Sequence, residues 1–228
     1  MVQKVEWDSD FFGYNVGRIY LDEKDEFDSE KFMKIDNDFK IVYIFSKKPI
    51  AVLQENLVEE KLNFKKKLDK KSLVKSSPIY FNPLIHSRKE LFDLALVSGT
   101  LSRYKLDLNF INEEFVRLYE KWIDNSIQNL ESKSKIIIYL FNEIMVGFTI
   151  FSINESNVNI ELIAVDKNFR GKGIGTKLIK QVEEIAIDFN CETIDVNTQG
   201  INNDSIQLYK KNNFICLNKT YIYHYWKQ

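Results

Sequence analysis

Residues 160–176 carry the sequence IELIAVDKNFRGKGIGT. An apolar, strand-forming run comes first, then a short polar loop, then glycines at 171, 173 and 175 and the start of an amphipathic pattern. Glycine lets the chain turn tightly and keeps Cβ atoms away from backbone N–H groups. The first N–H groups of a helix are unpaired and lie at the positive end of its dipole. The segment therefore predicts a phosphate site, with Arg170 and Lys172 adding positive charge.

Two other glycine-rich turns fit this segment poorly. The P-loop requires Gly-Lys-Ser or Gly-Lys-Thr, which does not occur in the chain. The Rossmann pattern would need a glycine at Thr176, and too little chain follows Gly175, although Asp195 stands where a ribose-binding acid is expected. A helix start whose glycines serve only for packing remains the alternative.

The surrounding pattern predicts an α/β fold in which helices flank a mixed sheet. After residue 100 we expect a helix at 112–129, strands at 135–141, 144–153 and 157–165, a helix at 173–189, a strand at 193–197, a helix at 203–211 and an aromatic strand at 214–226. Antiparallel hairpins that lead into a β-α-β crossover make the sheet mixed.

Residues 1–100 are less regular and predict a smaller N-terminal α/β domain, followed by a second domain over 101–228. Within the first domain, 41–45 predicts a buried strand and 55–70 an amphipathic helix. A basic cluster at 65–67, Lys70 and Lys71 fits the solvated side of that helix and the following strand better than a nucleic-acid patch.

Composition narrows the class of protein. The 32 basic and 33 acidic residues give a net charge of −1, so the chain as a whole does not attract nucleic acid or an anionic membrane. No apolar run approaches the length of a membrane span. The two cysteines and two histidines leave one disulfide open but favour a reduced, cytoplasmic enzyme without metal.

Two spaced motifs connect the glycine segment to a known family. Arg170, Gly173 and Gly175 match Arg-x-x-Gly-x-Gly, and Asn202, Ser205, Leu208 and Tyr209 match Asn-x-x-Ala-x-x-Leu-Tyr with serine for alanine. Together they resemble the acyl-CoA site of the GNAT acetyltransferase superfamily, over about 103–228. The family pattern ends in Gly-Phe, whereas this chain has Asn213-Phe214, and asparagine tolerates the left-handed conformation.

Further stretches look like the dTDP-fucosamine acetyltransferase group, which acetylates an amino group on a nucleotide-activated deoxysugar. They are the sequence WDSDFFG at 7–13, Ser102-Arg103-Tyr104 with Asp107 and Phe110, and Thr198-Gln199. This closer resemblance implies acetyl-CoA as co-substrate and a small-molecule nucleotide-sugar acceptor.

The resemblance also implies which residues hold acetyl-CoA. They are Leu162, Ile163, Ala164, Val165, Arg170, Gly171, Lys172, Gly173, Ile174, Gly175, Thr176, Asn202 and Tyr209. A backbone N–H near Val165 would polarise the thioester carbonyl, and Tyr209 would protonate the departing thiolate. A phenol is protonated at pH 7, which suits an acid, although Tyr209 also fits a core position.

The acceptor side is less determined by the sequence. Glu161, on a strand face shared with Asn159, Ile163 and Val165, is a candidate base, with ordered water or a structural glutamate as alternatives. Arg103 and Asp107 either contact the sugar nucleotide or form an interdomain ion pair. His224 fits a strand residue better than a base.

Other functions remain open at this point. One is acetylation of a protein N-terminus, a lysine or a small amine, and another is a CoA-binding module without turnover. The aromatic C-terminal strand is a candidate for pairing across a homodimer.

Overall fold

A ten-stranded mixed sheet with helices on both faces forms the frame of the protein, which a computed structural model describes over residues 2–27, 38–69, 77–111, 113–131 and 134–227. The strands are β1 (Gln3–Lys4), β2 (Val16–Leu21), β3 (Ile41–Ser46), β4 (Leu57–Lys67), β5 (Ile79–Tyr80), β6 (Ser134–Phe141), β7 (Ile144–Asn154), β8 (Asn157–Val165), β9 (Thr193–Gln199) and β10 (Ile215–Trp226). The helices are α1 (Glu6–Phe12), α2 (Arg88–Ser98), α3 (Arg103–Leu106), α4 (Glu114–Gln128), α5 (Ile174–Asp188) and α6 (Asn203–Lys211). Short 3-10 turns occupy Ala51–Asn56 and Lys167–Phe169.

The strands lie in the order β1-β2-β3-β10-β4-β9-β8-β7-β6-β5. β2 pairs with β3 and β8 with β9 in parallel, while the other neighbouring pairs with described registers are antiparallel. The predicted α/β fold with a mixed sheet is therefore confirmed.

The elements predicted after residue 100 are confirmed within about two residues at each end. The β6–β7 turn at Asn142 and Glu143 has φ of 49° and 66°, the left-handed pair that a tight hairpin requires. Asn213 has φ of 64°, so asparagine takes the left-handed conformation where the family pattern has glycine.

The predicted helix at 55–70 is wrong. A 3-10 turn ends at Asn56, and Leu57–Lys67 is strand β4, at the centre of the sheet between β10 and β9. Pairing on both sides outweighs the helix propensity of its glutamates and lysines. Alternation shows why a strand fits: Leu62 and Phe64 pack into one core cluster, whereas Lys61 and Asn63, on either side of Leu62 in sequence, face the other way.

The basic cluster is mostly paired rather than solvated. Lys65 lies 3.1 Å from Asp195, and Lys66 is buried 2.5 Å from Glu183 on α5. Lys67 is exposed, as predicted for the cluster. Lys70 and Lys71 lie outside the described residues.

Strand β10 corrects the expected route to a homodimer. Tyr221, Ile222 and Tyr223 pair with β3 on one side and β4 on the other. The backbone of these residues pairs with a neighbouring strand on both sides, so they cannot also pair with a second copy of the chain across a dimer. β10 and β4 join residues before and after 100 in one continuous sheet, and the two-domain division stays a prediction.

Two clusters of buried side chains define the faces of the sheet. On what we call the α5 face, Leu178 and Val182 of α5 pack against Phe64, Val158 and Ile160. On the α2 face, α2 and α4 pack against β6, β7 and β8, with Leu91, Ile123, Phe148, Ile150 and Leu162 in the cluster. The candidate site lies where a gap in the sheet connects the two faces.

Candidate active site

Strands β8 and β9 separate halfway along their length. Their parallel pairing runs from Asn157–Thr193 to Ile160–Val196, and no further pair forms between them. β8 nevertheless continues to Val165 and β9 to Gln199. The edge of β8 facing β9 is therefore open from Leu162 onward, and a wedge-shaped gap interrupts the sheet.

A β-bulge marks the point where β8 turns away. Ile150 is opposite Leu162 and Phe151 is opposite Ile160, so Glu161 is the extra residue. The bulge reverses the side chains, because Ile160 packs on the α5 face and Leu162 on the α2 face.

Because of this bulge, the prediction that Glu161 shares one strand face with Asn159, Ile163 and Val165 is wrong. Val158 and Ile160 face α5, so Asn159 between them faces α2, whereas Ile163 and Val165 pack on the α5 side. Asn159 therefore does not share a face with Ile163 and Val165. Glu161 is partly exposed at the bulge and lines the gap.

Residues 170–175, called here the glycine loop, have an open backbone. Gly171 and Gly173 have φ of 75° and 78°, and a Cβ at either would meet no atom within 4 Å. Gly173 is the N-cap of α5, and no side chain caps this helix start. The N–H groups of the first turn therefore have no side-chain acceptor, as an anion site requires.

Other residues predicted for acetyl-CoA serve packing in this structure. A Cβ on Gly175 would lie 3.1 Å from Leu208 Cδ2, so glycine allows α5 and α6 to approach closely. Ile174 is buried in the α5 cluster, and the Thr176 hydroxyl accepts from Asn212 Nδ2 at 3.3 Å.

The cations of the loop stay at the surface. Arg170 Nε donates to the Val165 carbonyl at 3.2 Å, and its guanidinium lies 3.7 Å from the Asp204 carboxylate. Lys172 is exposed with its ammonium 4.7 Å from the centre of the Phe169 ring. Both side chains remain accessible to a bound anion.

Helix α6 brings Tyr209 to the gap. Asn202 caps the helix by accepting from Ser205 N at 3.1 Å, and both residues line the gap with Tyr209. The Tyr209 ring is 2% exposed and contacts the Phe64 and Phe214 rings at 5.6 and 5.7 Å. The hydroxyl makes no hydrogen bond to another described residue.

Burial raises the pKa of Tyr209, because a buried phenolate loses its hydration. The phenol is therefore neutral over the physiological range. A protonated hydroxyl next to an open strand edge is suited to donating a proton.

The gap opens into a cleft of about 410 Å³ that passes through the sheet. Ile160, Val196 and Tyr209 line it from the α5 face, and helix residues line it from the α2 face. We call the α2-side lining the polar wall; it comprises Glu59, Lys61, Ser102, Arg103, Tyr104, Tyr119, Trp122, Asn159, Asn197 and Gln199.

Arg103 is held in the polar wall by aromatic rings. Its guanidinium carbon lies 4.7 Å from the Tyr104 ring centre, 5.0 Å from Tyr43 and 5.7 Å from Phe45, and Nη2 donates to the Tyr104 hydroxyl at 2.7 Å. Stacking of this kind fixes a planar guanidinium. Arg103 lines the cleft and forms no ion pair with Asp107, so of its two predicted roles the interdomain ion pair with Asp107 is absent and the contact with the acceptor stays a prediction.

Asp107 does not reach the cleft, which corrects its prediction as a substrate contact. It is buried, and its Oδ2 contacts His224 Nδ1 at 2.6 Å and accepts from Trp226 Nε1 at 2.8 Å. Oδ1 accepts from the Asn109 backbone N–H and side-chain amide. The carboxylate is thus a buried anchor for β10, and His224 is a strand residue, as predicted.

Sequence reasoning missed most of the polar wall. Glu59 and Lys61 were assigned to a helix, while Tyr119 and Trp122 were placed on the predicted helix at 112–129, where they look like the acetyltransferase group's first helix, without a role at the site. The alternation of polar and apolar residues over 61–65 was the available signal for β4. No stretch of the sequence by itself indicated that β4, α3 and α4 meet at the gap.

Metal and membrane features can be assessed for the described part of the chain only. There, no group of three or more His, Cys, Asp or Glu side chains could hold a metal ion. Nor does any helix in those ranges combine the length and apolar character needed to cross a membrane. Cys191 and Cys216 are not joined by a disulfide.

Comparison with known families gives a match over half of the chain. Residues 101–214 match the family described as "Acetyltransferase (GNAT) family". The matched region contains the bulged strand, the glycine loop and Tyr209.

Three known proteins are similar over parts of the chain. The spore coat polysaccharide biosynthesis protein SpsD of Bacillus subtilis is 27% identical over 59% of this chain and 46% of its own length. Streptothricin acetyltransferase A of Bacillus subtilis is 32% identical over 46% of this chain and 64% of its length. Thialysine N-epsilon-acetyltransferase of Sus scrofa is 35% identical over 29% of this chain and 42% of its length. The matches thus span less than two thirds of each relative.

Solved structures support the fold. A functionally unknown conserved protein from Staphylococcus epidermidis superposes with a TM-score of 0.62 at 12% identity, covering 87% of this chain and 77% of that one. A GCN5-related N-acetyltransferase from Sphaerobacter thermophilus has a TM-score of 0.59 at 10% identity, covering 82% and 59% respectively.

Proposed function

Because the chain belongs to the acetyltransferase (GNAT) family, we propose that it transfers an acetyl group from acetyl-CoA to the amino group of a nucleotide-activated amino-deoxysugar. The observation that carries this proposal is the gap between β8 and β9. It joins Tyr209 on the α5 face and the polar wall on the α2 face in one cleft, and the glycine loop follows the open edge of β8 in sequence. Two substrates could therefore meet there from opposite faces of the sheet.

The glycine loop fits the diphosphate of acetyl-CoA. Its N–H groups are uncapped, and the space above Gly171 and Gly173 is empty of other side chains. Arg170 and Lys172 can add charge from the surface. The open edge of β8 offers backbone groups from Leu162 to Ala164 for the extended arm of the same molecule.

The chain's groups then match the steps of direct transfer. The free amine attacks the thioester carbonyl carbon, so a C–N bond forms and negative charge develops on the oxygen. A backbone N–H near Val165 would stabilise that charge. As the C–S bond breaks, the Tyr209 hydroxyl would give its proton to the sulfur. The amine's proton would pass to water or to Glu161 at the bulge.

The nucleotide-sugar acceptor is supported by the polar wall and by a relative. Amide and charged side chains on β4, β8 and β9 offer hydrogen bonds to a polyhydroxylated ligand, and Trp122 offers an aromatic surface. SpsD is described as a polysaccharide biosynthesis protein. We further propose that residues 1–100 form the acceptor-side domain, because Glu59 and Lys61 come from β4.

A small cationic amine is the second candidate acceptor. Two carboxylates, Glu59 and Glu161, line the cleft and could bind an ammonium group. Thialysine N-epsilon-acetyltransferase and streptothricin acetyltransferase are similar over part of the chain.

The test is thiol release from acetyl-CoA with a panel of amines. The panel includes dTDP-4-amino and dTDP-3-amino deoxyhexoses, lysine, spermidine and a peptide with a free N-terminus. We expect a sugar nucleotide to give the highest kcat/KM. A higher value with a small amine would replace the first candidate by the second, and binding of acetyl-CoA without release in any mixture would favour the non-catalytic module.

A further inference from the structure

Two cations line the polar wall without a salt bridge to a described residue. Lys61 and Arg103 are both largely shielded from solvent and border the cleft. Arg103 Nε is fully buried and has no hydrogen-bond partner among the described residues. Burying a cation is unfavourable unless an anion or an acceptor compensates for the lost hydration.

The neighbouring lysines on β4 are paired. Lys65 lies 3.1 Å from Asp195, and Lys66 lies 2.5 Å from Glu183. Lys61 is on the same strand and face as Lys65, yet forms no such pair within the described chain. Lys61 borders the cleft, whereas Lys65 does not.

One carboxylate lies in the same wall but does not close an ion pair. Burial raises the pKa of Glu59, and this outweighs the opposing influence of Arg103 and Lys61. Burial and the charge of Arg103 lower the pKa of Lys61, and Lys47 acts on it in the same direction. The three cations are therefore close enough to repel. Glu59 accepts a hydrogen bond from the Arg103 backbone N–H, and its charge raises the pKa of Arg103 and opposes the lowering of the pKa of Lys61, but it forms no salt bridge with either side chain.

We propose that Lys61 and Arg103 together bind an anionic group of the acceptor, so that this enzyme selects acceptors carrying a diphosphate or a carboxylate at a distance from the amine. The inference rests on the proposed function, because it assigns a ligand to the acceptor side of the same cleft. An anion bound between Lys61 and Arg103 would compensate both side chains for the hydration that they lose in the wall. The stacked guanidinium presents fixed N–H donors, and Lys61 adds a mobile point charge.

The experiment is calorimetric titration of the protein saturated with acetyl-CoA, using inorganic pyrophosphate and, separately, malonate as probes. Acetyl-CoA occupies the glycine loop, so a probe that still binds must use another site. Stronger binding of pyrophosphate would identify a diphosphate as the source of the anion, and stronger binding of malonate a carboxylate.

Lys61→Gln removes the charge at similar length and should weaken the better probe about 10- to 100-fold, the loss typical of a hydrogen bond to a charged group. Lys61→Arg keeps the charge and should retain most of the binding. Lys65→Gln is the matched control: it removes a lysine from the same strand and face, away from the cleft, and should leave the affinity unchanged.

Equal affinities for the wild type and Lys61→Gln, or no binding of either probe to the wild type, would overturn the inference. The titration does not depend on turnover, so its outcome tests the anion site independently of the proposed acetyltransferase function. Lys61-dependent binding without acetylation of any amine would leave the anion site standing and remove the proposed function. Acetylation of sugar nucleotides without probe binding would do the reverse.

Discussion

The glycine loop follows the open edge of β8, and the polar wall lines the cleft beside that edge, but the two regions are built from different atoms. The glycine loop presents backbone N–H groups from one short segment of the chain; three of its six residues are glycines, Arg170 and Lys172 are at the surface, and Ile174 is buried in the α5 cluster. The polar wall presents side chains from β4, α3, α4, β8 and β9, which come from widely separated parts of the chain. A backbone site recognises what is constant among substrates, such as a diphosphate, whereas a side-chain site can be changed residue by residue. We therefore expect changes in the loop to affect acetyl-CoA binding and changes in the wall to affect the acceptor.

The largest effect should come from Gly173→Glu. The substitution places a carboxylate at the uncapped start of α5 and puts a Cβ on a residue with φ of 78°. Acetyl-CoA affinity should fall roughly a thousandfold or more, because several charge-assisted hydrogen bonds of about 1.5–3 kcal/mol each would be lost. Calorimetry with acetyl-CoA measures this change.

Gly13→Glu is the control for backbone strain. Gly13 has φ of 76°, a Cβ there would also meet no atom within 4 Å, and it lies at the end of α1. This variant should lose comparable stability and keep its acetyl-CoA affinity. Unchanged affinity in a folded Gly173→Glu protein would refute the assignment of the loop to a phosphate.

The second effect concerns Tyr209, between the two regions. Tyr209→Phe keeps the contacts with Phe64 and Phe214 and removes only the hydroxyl. We expect kcat to fall about 10²–10⁴-fold with little change in acetyl-CoA affinity, because the acid acts as charge develops on sulfur. Steady-state kinetics at saturating acetyl-CoA measures it.

Tyr223→Phe is the matched control for loss of a buried hydroxyl. The Tyr223 hydroxyl accepts from Ile50 N at 2.8 Å, away from the gap. Its loss should lower the free energy of unfolding by about 1 kcal/mol and leave kcat unchanged. A Tyr209→Phe enzyme with the kcat of the wild type would return Tyr209 to a packing role.

The contrast between the regions also explains what the sequence could predict. The glycine loop and the start of α5 are continuous in sequence, so the spacing of glycines and the helical pattern predicted a phosphate site at Gly173, whereas the role of Tyr209 was implied by the family motif over 202–209. Glu161 was placed on the correct strand, but the bulge depends on how β7 pairs with β8 and has no signal in residues 157–165. β4 was missed because its glutamates and lysines favour a helix locally, and only pairing with β9 and β10 makes it a strand.

The third effect should be confined to the acceptor. Arg103→Lys keeps the charge but loses the stacking against Tyr43 and Tyr104, so we expect the acceptor KM to rise about tenfold while the Kd of acetyl-CoA stays the same. Arg88→Lys, at an exposed pair with Asp124, is the control and should change neither constant. Equal increases in the acceptor KM and the acetyl-CoA Kd would mean that the two regions are not separable.

A point change is needed here, because a fragment starting near residue 100 would not isolate the glycine loop. Such a fragment would lack β4, which lies between β9 and β10. Both strands would then lose a partner along most of their length.

Changes to the buried Asp107–His224 pair behind the polar wall should have the smallest effect on activity. They should, however, change how the free energy of unfolding depends on pH. Burial lowers the pKa of His224 to about 4, against the opposing influence of Asp107, so the imidazole is neutral and its Nδ1–H donates to the carboxylate. Burial would raise the pKa of Asp107, but hydrogen bonds from His224 and Trp226 together lower it to about 2. Between about pH 6.5 and 4 the unfolded chain therefore binds a proton at His224 that the folded chain does not. Stability should fall by about 1–3 kcal/mol as the pH falls through this window, and the Asp107 contribution is lost at still lower pH.

His224→Asn tests this pair, because the asparagine amide can still donate to Asp107 but cannot take up the proton. Denaturant unfolding at pH 7, 5.5 and 4 should show a smaller loss of stability on acidification than in the wild type. His86→Asn removes the other histidine of the chain, at a partly exposed site, and should keep the pH dependence of the wild type. Acetyl-CoA affinity at pH 7 should be the same in all three proteins, since neither histidine lines the cleft. If His224→Asn keeps the full pH dependence, the loss of stability in acid comes from other groups, and Asp107 with His224 is no more than a neutral hydrogen bond that holds β10 behind the wall.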